Sequence, residues 1–173
     1  MVGMGSEPFK ELEILVVQGS LLDVDVQVIV NAANSHGLMG GGVAGVIRRM
    51  AGFQVEEEAR KQAPIPVGMA VLTSGGRTKF RGIIHAPTMS EPAMRIPASN
   101  VGAATRAALA LADEQGFQSL GLPGLGTGVG RVAPQEAARE MIEEIRRFNP
   151  EMLEWVVLVD IDSIMVQAWQ DLL

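Results

Sequence analysis

The chain has 173 residues, no cysteine, two histidines, and 14 basic against 20 acidic side chains, a net charge of −6. That length suits one domain with a sizeable core. The missing thiols exclude disulfides, thiolate nucleophiles and zinc–thiolate sites, the two separated histidines argue against a metal site, and the acidic balance argues against a nucleic-acid phosphate track.

Residues 1–9 read as a loose N-terminal tail and 10–173 as one folded unit. A strand is expected over Leu12 to Val17 and another from Val26 to about Asn31, both short, apolar and β-branched. Helices follow over Val43 to Met50 and from about Gln54 to Gln62, the second stopped by Pro64 and Pro66. Met69 to Thr73 and Gly82 to His85 read as strands around the turn Ser74-Gly75-Gly76, and Ser90 to Pro97 as a loop. Ser99 or Asn100 can cap a long alanine-rich helix that ends near Gln115, closed by Gly116. Ser119 to Leu122 is a short strand, and Pro134 opens a helix to about Phe148. Trp155 to Val159 reads as a buried strand and Ser163 to Trp169 as a last helix. Strands alternating with helices place the chain in the α/β class. No apolar run reaches the length of a membrane span and the N-terminus lacks the regions of a signal peptide, so a cytoplasmic location without membrane contact is expected.

The chemistry concentrates in two glycine clusters. The run Val28-Ile29-Val30-Asn31-Ala32-Ala33-Asn34 leads through Ser35-His36-Gly37-Leu38-Met39 into Gly40-Gly41-Gly42-Val43-Ala44-Gly45. Strand, polar loop, glycines and helix N-terminus in that order make an anion cradle, because free N–H groups and the helix dipole both favour negative charge. Gly40, Gly42 and Gly45 spell G-x-G-x-x-G, but a long loop separates them from the strand, and no acidic residue ends a following strand as a dinucleotide fold requires. The pattern returns in Gly121-Leu122-Pro123-Gly124-Leu125-Gly126-Thr127-Gly128-Val129-Gly130, again between a strand and a helix. Two such loops can face one ligand across the carboxyl ends of neighbouring strands, and a diphosphate suits two nests of N–H groups.

These residues resemble the macro domain, the ADP-ribose-binding family. The resemblance runs from about Glu11 to Gln170 and is carried by Val17-Gln18-Gly19, the Asn-Ala-Ala-Asn and triple-glycine stretch, Ile84-His85-Ala86-Pro87, and Leu122-Pro123-Gly124-Leu125-Gly126-Thr127-Gly128. It implies a three-layer α/β/α fold with a central mixed β-sheet and a cleft for ADP-ribose. It also implies ligand contacts from Gly19, Ser20 and Leu21, from Asn34, Gly41, Gly42 and Val43, and from Gly126, Thr127, Gly128, Val129 and Gly130. Asn34 matches the asparagine that holds the distal ribose and is the expected catalytic residue; its other reading is an asparagine that ties the loop to its own backbone. Asn31 is expected to brace the strand end and His85 to be a satisfied core histidine. His36 stands where a general base could stand, and Arg131 either meets phosphate or solvent. No metal and no cofactor is implied.

Four positions depart from the family pattern. Ser20 replaces an aspartate that accepts from the adenine amino group, which weakens adenine selection because a charged hydrogen bond is worth ~1.5–3 kcal/mol against ~1 for a neutral one. Gly130 stands where an aromatic often flanks the ribose. Asp160 or Ile161 stands where an aromatic stacks on adenine, so Val159 or Ile161 would pack there; the chain has no tyrosine. Ala44 stands where one hydrolytic branch carries aspartate. The expected function is a macro domain that binds ADP-ribose and hydrolyses its derivatives: O-acetyl-ADP-ribose, ADP-ribosyl esters on protein, or ADP-ribose 1″-phosphate. A water placed by Asn34 and activated by the ligand's own phosphate would attack. The expected partners are ADP-ribose or a derivative and an ADP-ribosylated protein. A non-catalytic ADP-ribose reader is the alternative, and a binder of another nucleotide or of nucleic acid the second.

Overall fold

The structure, a computed structural model, describes residues 9–173; the expected tail over residues 1–9 lies, but for Phe9, outside them. The elements in chain order are β1 (Glu13–Gln18), a 3-10 turn (Leu21–Asp23), β2 (Val28–Asn34), α1 (Gly42–Ala51), α2 (Phe53–Lys61), β3 (Val71–Thr73), β4 (Gly82–Met89), α3 (Ala98–Glu114), β5 (Ser119–Leu122), α4 (Pro134–Arg147), β6 (Trp155–Asp160) and α5 (Ser163–Gln170). The six strands form one sheet in the order β1-β6-β5-β2-β4-β3. All neighbours are parallel except β3, which pairs antiparallel with β4, so the sheet is mixed as expected.

Alternation along the strands divides the core in two. Val28, Val30, Leu120, Val156 and Leu158 face one side, where they pack with Ala104, Ala108 and Leu109 of α3, Met141 and Ile145 of α4, and Trp169 of α5. Ile29, Ile83, Val157 and Val159 face the other, against Ile47 of α1 and Val55 of α2. The result is the three-layer α/β/α sandwich.

Several boundaries differ from the sequence reading. The second strand is read as ending near Asn31, but β2 continues through Asn34, because β4 runs beside it: Asn31 pairs with His85, Ala32 with Ala86 and Ala33 with Pro87 before the register slips and Asn34 meets Met89. β4 likewise extends to Met89, every residue of it buried. The long helix is not capped by Ser99 or Asn100: α3 starts after Pro97, whose extended φ, ψ ends the preceding loop. Asn100 instead donates its side-chain amide to the Thr88 carbonyl, 2.9 Å away, and so fastens the start of α3 to the end of β4. Gly116, at φ +82°, closes that helix as expected.

The strand order creates the crevice. From β5 the chain passes outward to β6, while β2 has its other neighbour, β4, on the opposite side, so the connections diverge between β5 and β2. β2 and β5 pair only at Val28 with Leu120 and Ile29 with Gly121. Beyond that β2 runs on to Asn34 while β5 stops at Leu122, before Pro123, which lacks a ladder donor. The gap opens at the carboxyl ends of parallel strands, at a topological switch point, where open α/β sheets bind their ligands.

Candidate functional site

Both glycine clusters overhang this crevice, one leaving β2 and one leaving β5. The first is the more elaborately held. The Asn34 side chain closes its own loop: Nδ2 donates to the Leu38 carbonyl at 3.0 Å, and Oδ1 accepts from the backbone N–H of His36 at 3.0 Å and of Leu38 at 3.3 Å. The backbone-tying arrangement is therefore present, and it leaves one Nδ2 hydrogen unspent. From the helix side, Glu56 of α2 accepts the Met39 N–H at 2.7 Å through Oε2, while its Oε1 lies 3.7 Å from Arg48 Nε. Glu56 thus supports the loop from outside it, a contact with no counterpart among the expected site residues. Its signal was faint: one acid among three in Glu56-Glu57-Glu58, with the loop it would reach still unplaced.

The loop so held delivers its glycines to solvent. A Cβ added at Gly40, Gly41 or Gly42 would meet nothing within 4 Å. Gly42 has φ +58°, a conformation that disfavours any side chain. Among the described residues, no acceptor within the chain takes the N–H groups of Gly40, Gly41, Gly42 or Val43. Gly42 and Val43 begin α1, so their N–H groups have no intrahelical partner, and they sit at the positive end of the helix dipole.

The second loop, after β5, divides its glycines between two tasks. Gly126, at φ +76°, and Gly130 make the turn: an added Cβ would lie 2.7 Å from Val101 Cγ2 at the first and 2.7 Å from the Gly126 carbonyl at the second. Val132 N–H donates to the Gly126 carbonyl and Ile96 N–H to that of Gly130, which pins both ends. Gly128 faces open space, like Gly40 to Gly42. The N–H groups of Gly126, Thr127, Gly128, Val129 and Gly130 have no acceptor within the described chain. Upstream, Asp160 Oδ2 accepts from the Gly124 N–H at 3.0 Å and its Oδ1 from the Asp162 N–H at 2.9 Å, so one carboxylate ties this loop to the end of β6. Asp160 entered the sequence reading only as a position lacking an aromatic.

At the third edge, Gly19 donates to the Asp160 carbonyl and sets the end of β1 beside the end of β6. Ser20 Oγ accepts from the Leu22 N–H at 3.2 Å and caps the 3-10 turn. Among the described residues its hydroxyl hydrogen and second lone pair have no partner. Gly19 and Ser20 line a hollow of about 460 Å³ together with Val17, Asp23 and Asp25, whereas Leu21 is buried. Of the two residues considered for packing on a base, Val159 is fully buried and Ile161 is 77 % exposed beside Gln18.

The histidines separate cleanly. His85 is in the core, with Nδ1 3.1 Å from Asn31 Nδ2 and Nε2 2.9 Å from Thr73 Oγ1. Asn31 Nδ2 can only donate, so Nδ1 accepts and Nε2 carries the proton. Burial pulls the pKa of His85 down to about 4. His36 is on the surface, its Nε2 2.9 Å from Glu91 Oε2 across the mouths of β2 and β4. Arg131, at φ +57°, is exposed after the second loop. Ala44 is buried against the α1 core, so no carboxylate stands at that position.

Comparison with known proteins agrees with this fold. The family described as Macro domain matches residues 30–141. A protein of Aquifex aeolicus (strain VF5), described as uncharacterized, is 59 % identical over 94 % of this chain and 98 % of its own. Among solved structures, the Oceanobacillus iheyensis macrodomain with MES bound superposes with a TM-score of 0.83 at 25 % identity, over 95 % of this chain and 92 % of that one. The Trypanosoma brucei macrodomain in complex with ADP-ribose superposes with a TM-score of 0.83 at 26 % identity, over 92 % of this chain and 68 % of that one. Among the described residues no helix is long and apolar enough to cross a membrane.

Proposed function

Because this chain belongs to the macro domain family, we propose that it binds ADP-ribose in the crevice between β2 and β5 and hydrolyses ADP-ribosyl esters held there. The observation that carries the reading is the pair of loops, one after β2 and one after β5, whose N–H groups, Gly41 to Val43 in the first and Gly126 to Gly130 in the second, lack acceptors among the described residues. Each N–H pointed at a phosphate oxygen makes a charge-assisted hydrogen bond without any lysine or arginine. That suits a protein of net charge −6 that takes an anion. The T. brucei complex with ADP-ribose supports the choice of ligand.

Adenine is assigned to the side of Gly19, Ser20 and Leu21, where the free lone pair of Ser20 Oγ accepts from the amino group and Ile161 offers apolar cover. The distal ribose is assigned to the side of Asn34, whose unspent Nδ2 hydrogen reaches toward a hydroxyl. Hydrolysis then rests on placement: Asn34 sets the ribose, and the ribose sets the angle at which water attacks the ester carbonyl carbon. The bound phosphate takes the water's proton, the bond between the acyl carbon and the ribose oxygen breaks, and the departing ribose oxygen takes that proton back, leaving free carboxylate and ADP-ribose. Positioning together with electrostatic stabilisation is sufficient chemistry for a labile ester.

Calorimetric titration with ADP-ribose, ADP, AMP and ribose 5-phosphate tests the binding half. ADP-ribose is expected to bind most tightly, because only it spans both loops and the Asn34 end; equal affinity for ADP removes the distal-ribose assignment. Incubation with an ADP-ribosyl ester tests the chemistry. The buried Ala44 in place of a carboxylate favours the second reading, a non-catalytic reader, which stands if no ester is turned over while ADP-ribose binds.

A further inference from the structure

A groove of about 410 Å³ follows α1 away from the first glycine loop, from Met39 and Gly40 at one end to Arg48, Arg49, Phe53 and Arg77 at the other. Its cations are placed rather than loose. The Arg77 guanidinium lies against Gly52, its Nε 3.5 Å from where a Cβ would stand, and Arg49 Nη1 lies 3.6 Å from the same point on Gly45. The Arg48 guanidinium sits 4.5 Å from the centre of the Phe53 ring. Only Arg48 has a carboxylate within ion-pair distance among the described residues, and that is Glu56 at 3.7 Å. Phe53 is nevertheless 68 % exposed, and Met50 and Val46 of the same helix are exposed too. Three arginines lining one groove with a largely exposed aromatic, in a chain of net charge −6, are a local reversal of sign that neither the core nor the crevice uses.

We propose that this groove receives an acidic segment of the polypeptide that carries the ADP-ribose group, on the residues flanking the modified side chain. The inference rests on the assignment of ADP-ribose to the crevice. That assignment puts the distal ribose, and hence the point where the carrier protein departs, at the Asn34 side, next to Gly40 where the groove begins. The chemistry of the groove selects the occupant. Arg49 and Arg77 offer planar donor forks to carboxylates, and Phe53 offers apolar surface to the side chains between them. A nucleic-acid strand would need a basic track that continues, and the acidic balance of the chain does not supply one. The groove thus adds a preference for acidic carriers to a crevice that reads only the nucleotide.

Two peptides of equal length test this, each bearing one ADP-ribose through a non-hydrolysable linkage, with acidic flanks in one and glutamine flanks in the other. Binding is followed by fluorescence anisotropy, and free ADP-ribose is titrated in parallel. The acidic peptide is expected to bind roughly tenfold more tightly, as two or three exposed ion pairs allow, and raising the salt should erase the difference. Replacing Arg49→Gln and Arg77→Gln together should also erase it, while free ADP-ribose binds as before, which certifies the fold. Equal affinity for the two peptides, or a preference that survives both salt and the double replacement, overturns the proposal with the crevice assignment intact. Failure of free ADP-ribose to bind the unaltered protein overturns that assignment, and the proposal with it.

Discussion

Glycine does two different jobs in this site, and single substitutions separate them. Gly126→Ala places a methyl against Val101 at a φ of +76°, so it combines backbone strain with overpacking and should destabilise the fold by ~2–3 kcal/mol. Gly128→Glu adds a side chain into open space, so it should leave the melting temperature nearly unchanged and abolish ADP-ribose binding by filling and repelling the phosphate position. Thermal unfolding and calorimetry on the two variants check the pair of outcomes together; a Gly128→Glu protein that still binds takes the second loop out of the site. His85 gives a residue-scale prediction of another kind. Its pKa is lowered by burial to about 4, against 6.5 for the free group. Between those values the unfolded chain binds the proton and the folded one does not. Stability is therefore fully present above pH 6.5 and is lost as pH falls toward 4, by about 3 kcal/mol in all at 1.36 kcal/mol per unit. Asp113, held low by N–H donors from Glu151, Met152 and Leu153, contributes its loss only at still lower pH. Urea unfolding between pH 7 and pH 4.5 should show the decline, and a His85→Asn variant should show a flatter profile over that window.

At the scale of elements, the loop from β2 to α1 is held by one residue from each side: Asn34 from the strand before it and Glu56 from the helix beyond it. The Glu56 carboxylate is mostly shielded, 15 % exposed, and accepts a backbone N–H from Met39 immediately before the glycines. Glu56→Ala should cost ~1–2 kcal/mol of stability through loss of a charge-assisted hydrogen bond. It should also weaken ADP-ribose binding several-fold, because the cradle must then be ordered on binding. Calorimetry reads this as a less favourable entropy; unchanged affinity means that the loop keeps its shape without the tether. The Asn34 half of this support was legible, since an asparagine at a strand end commonly closes an Asx-type turn. The Glu56 half was not, because it joins residues 17 apart through a helix packing that no local pattern specifies. α3 shows the same limit. Ser99 and Asn100 are both good caps by type, but a buried β4 needed a partner for the Thr88 carbonyl, and Asn100 went there.

For the whole molecule, the crevice exists because β2 outruns β5, and a ligand that fills it bridges elements on both sides of the gap. ADP-ribose at about 100 times its Kd should stabilise the fold by ~2.7 kcal/mol and raise the melting temperature by roughly 5–10 °C. ADP at the same concentration should raise it less, since it lacks the ribose at the Asn34 end; an equal shift means that this end of the crevice binds nothing. The sequence alone determined the α/β class, the family, and the two glycine loops that leave β2 and β5. It could do so because strand alternation, helix boundaries and glycine clusters act over a few residues, and each leaves its mark where it acts. It marked Gly40 to Gly42 and Gly126 to Gly130 as one kind of position. Only the tertiary structure decided which of these glycines face open space and which face Val101 or a neighbouring carbonyl. Only it, too, brought Glu56 under the first loop, tied the second to β6 through Asp160, and gathered Arg48, Arg49 and Arg77 into one groove with Phe53. Those contacts join residues distant in the chain, and their partners are set by how the helices lie on the sheet, which is a property of packing and has no local signature in the amino-acid order.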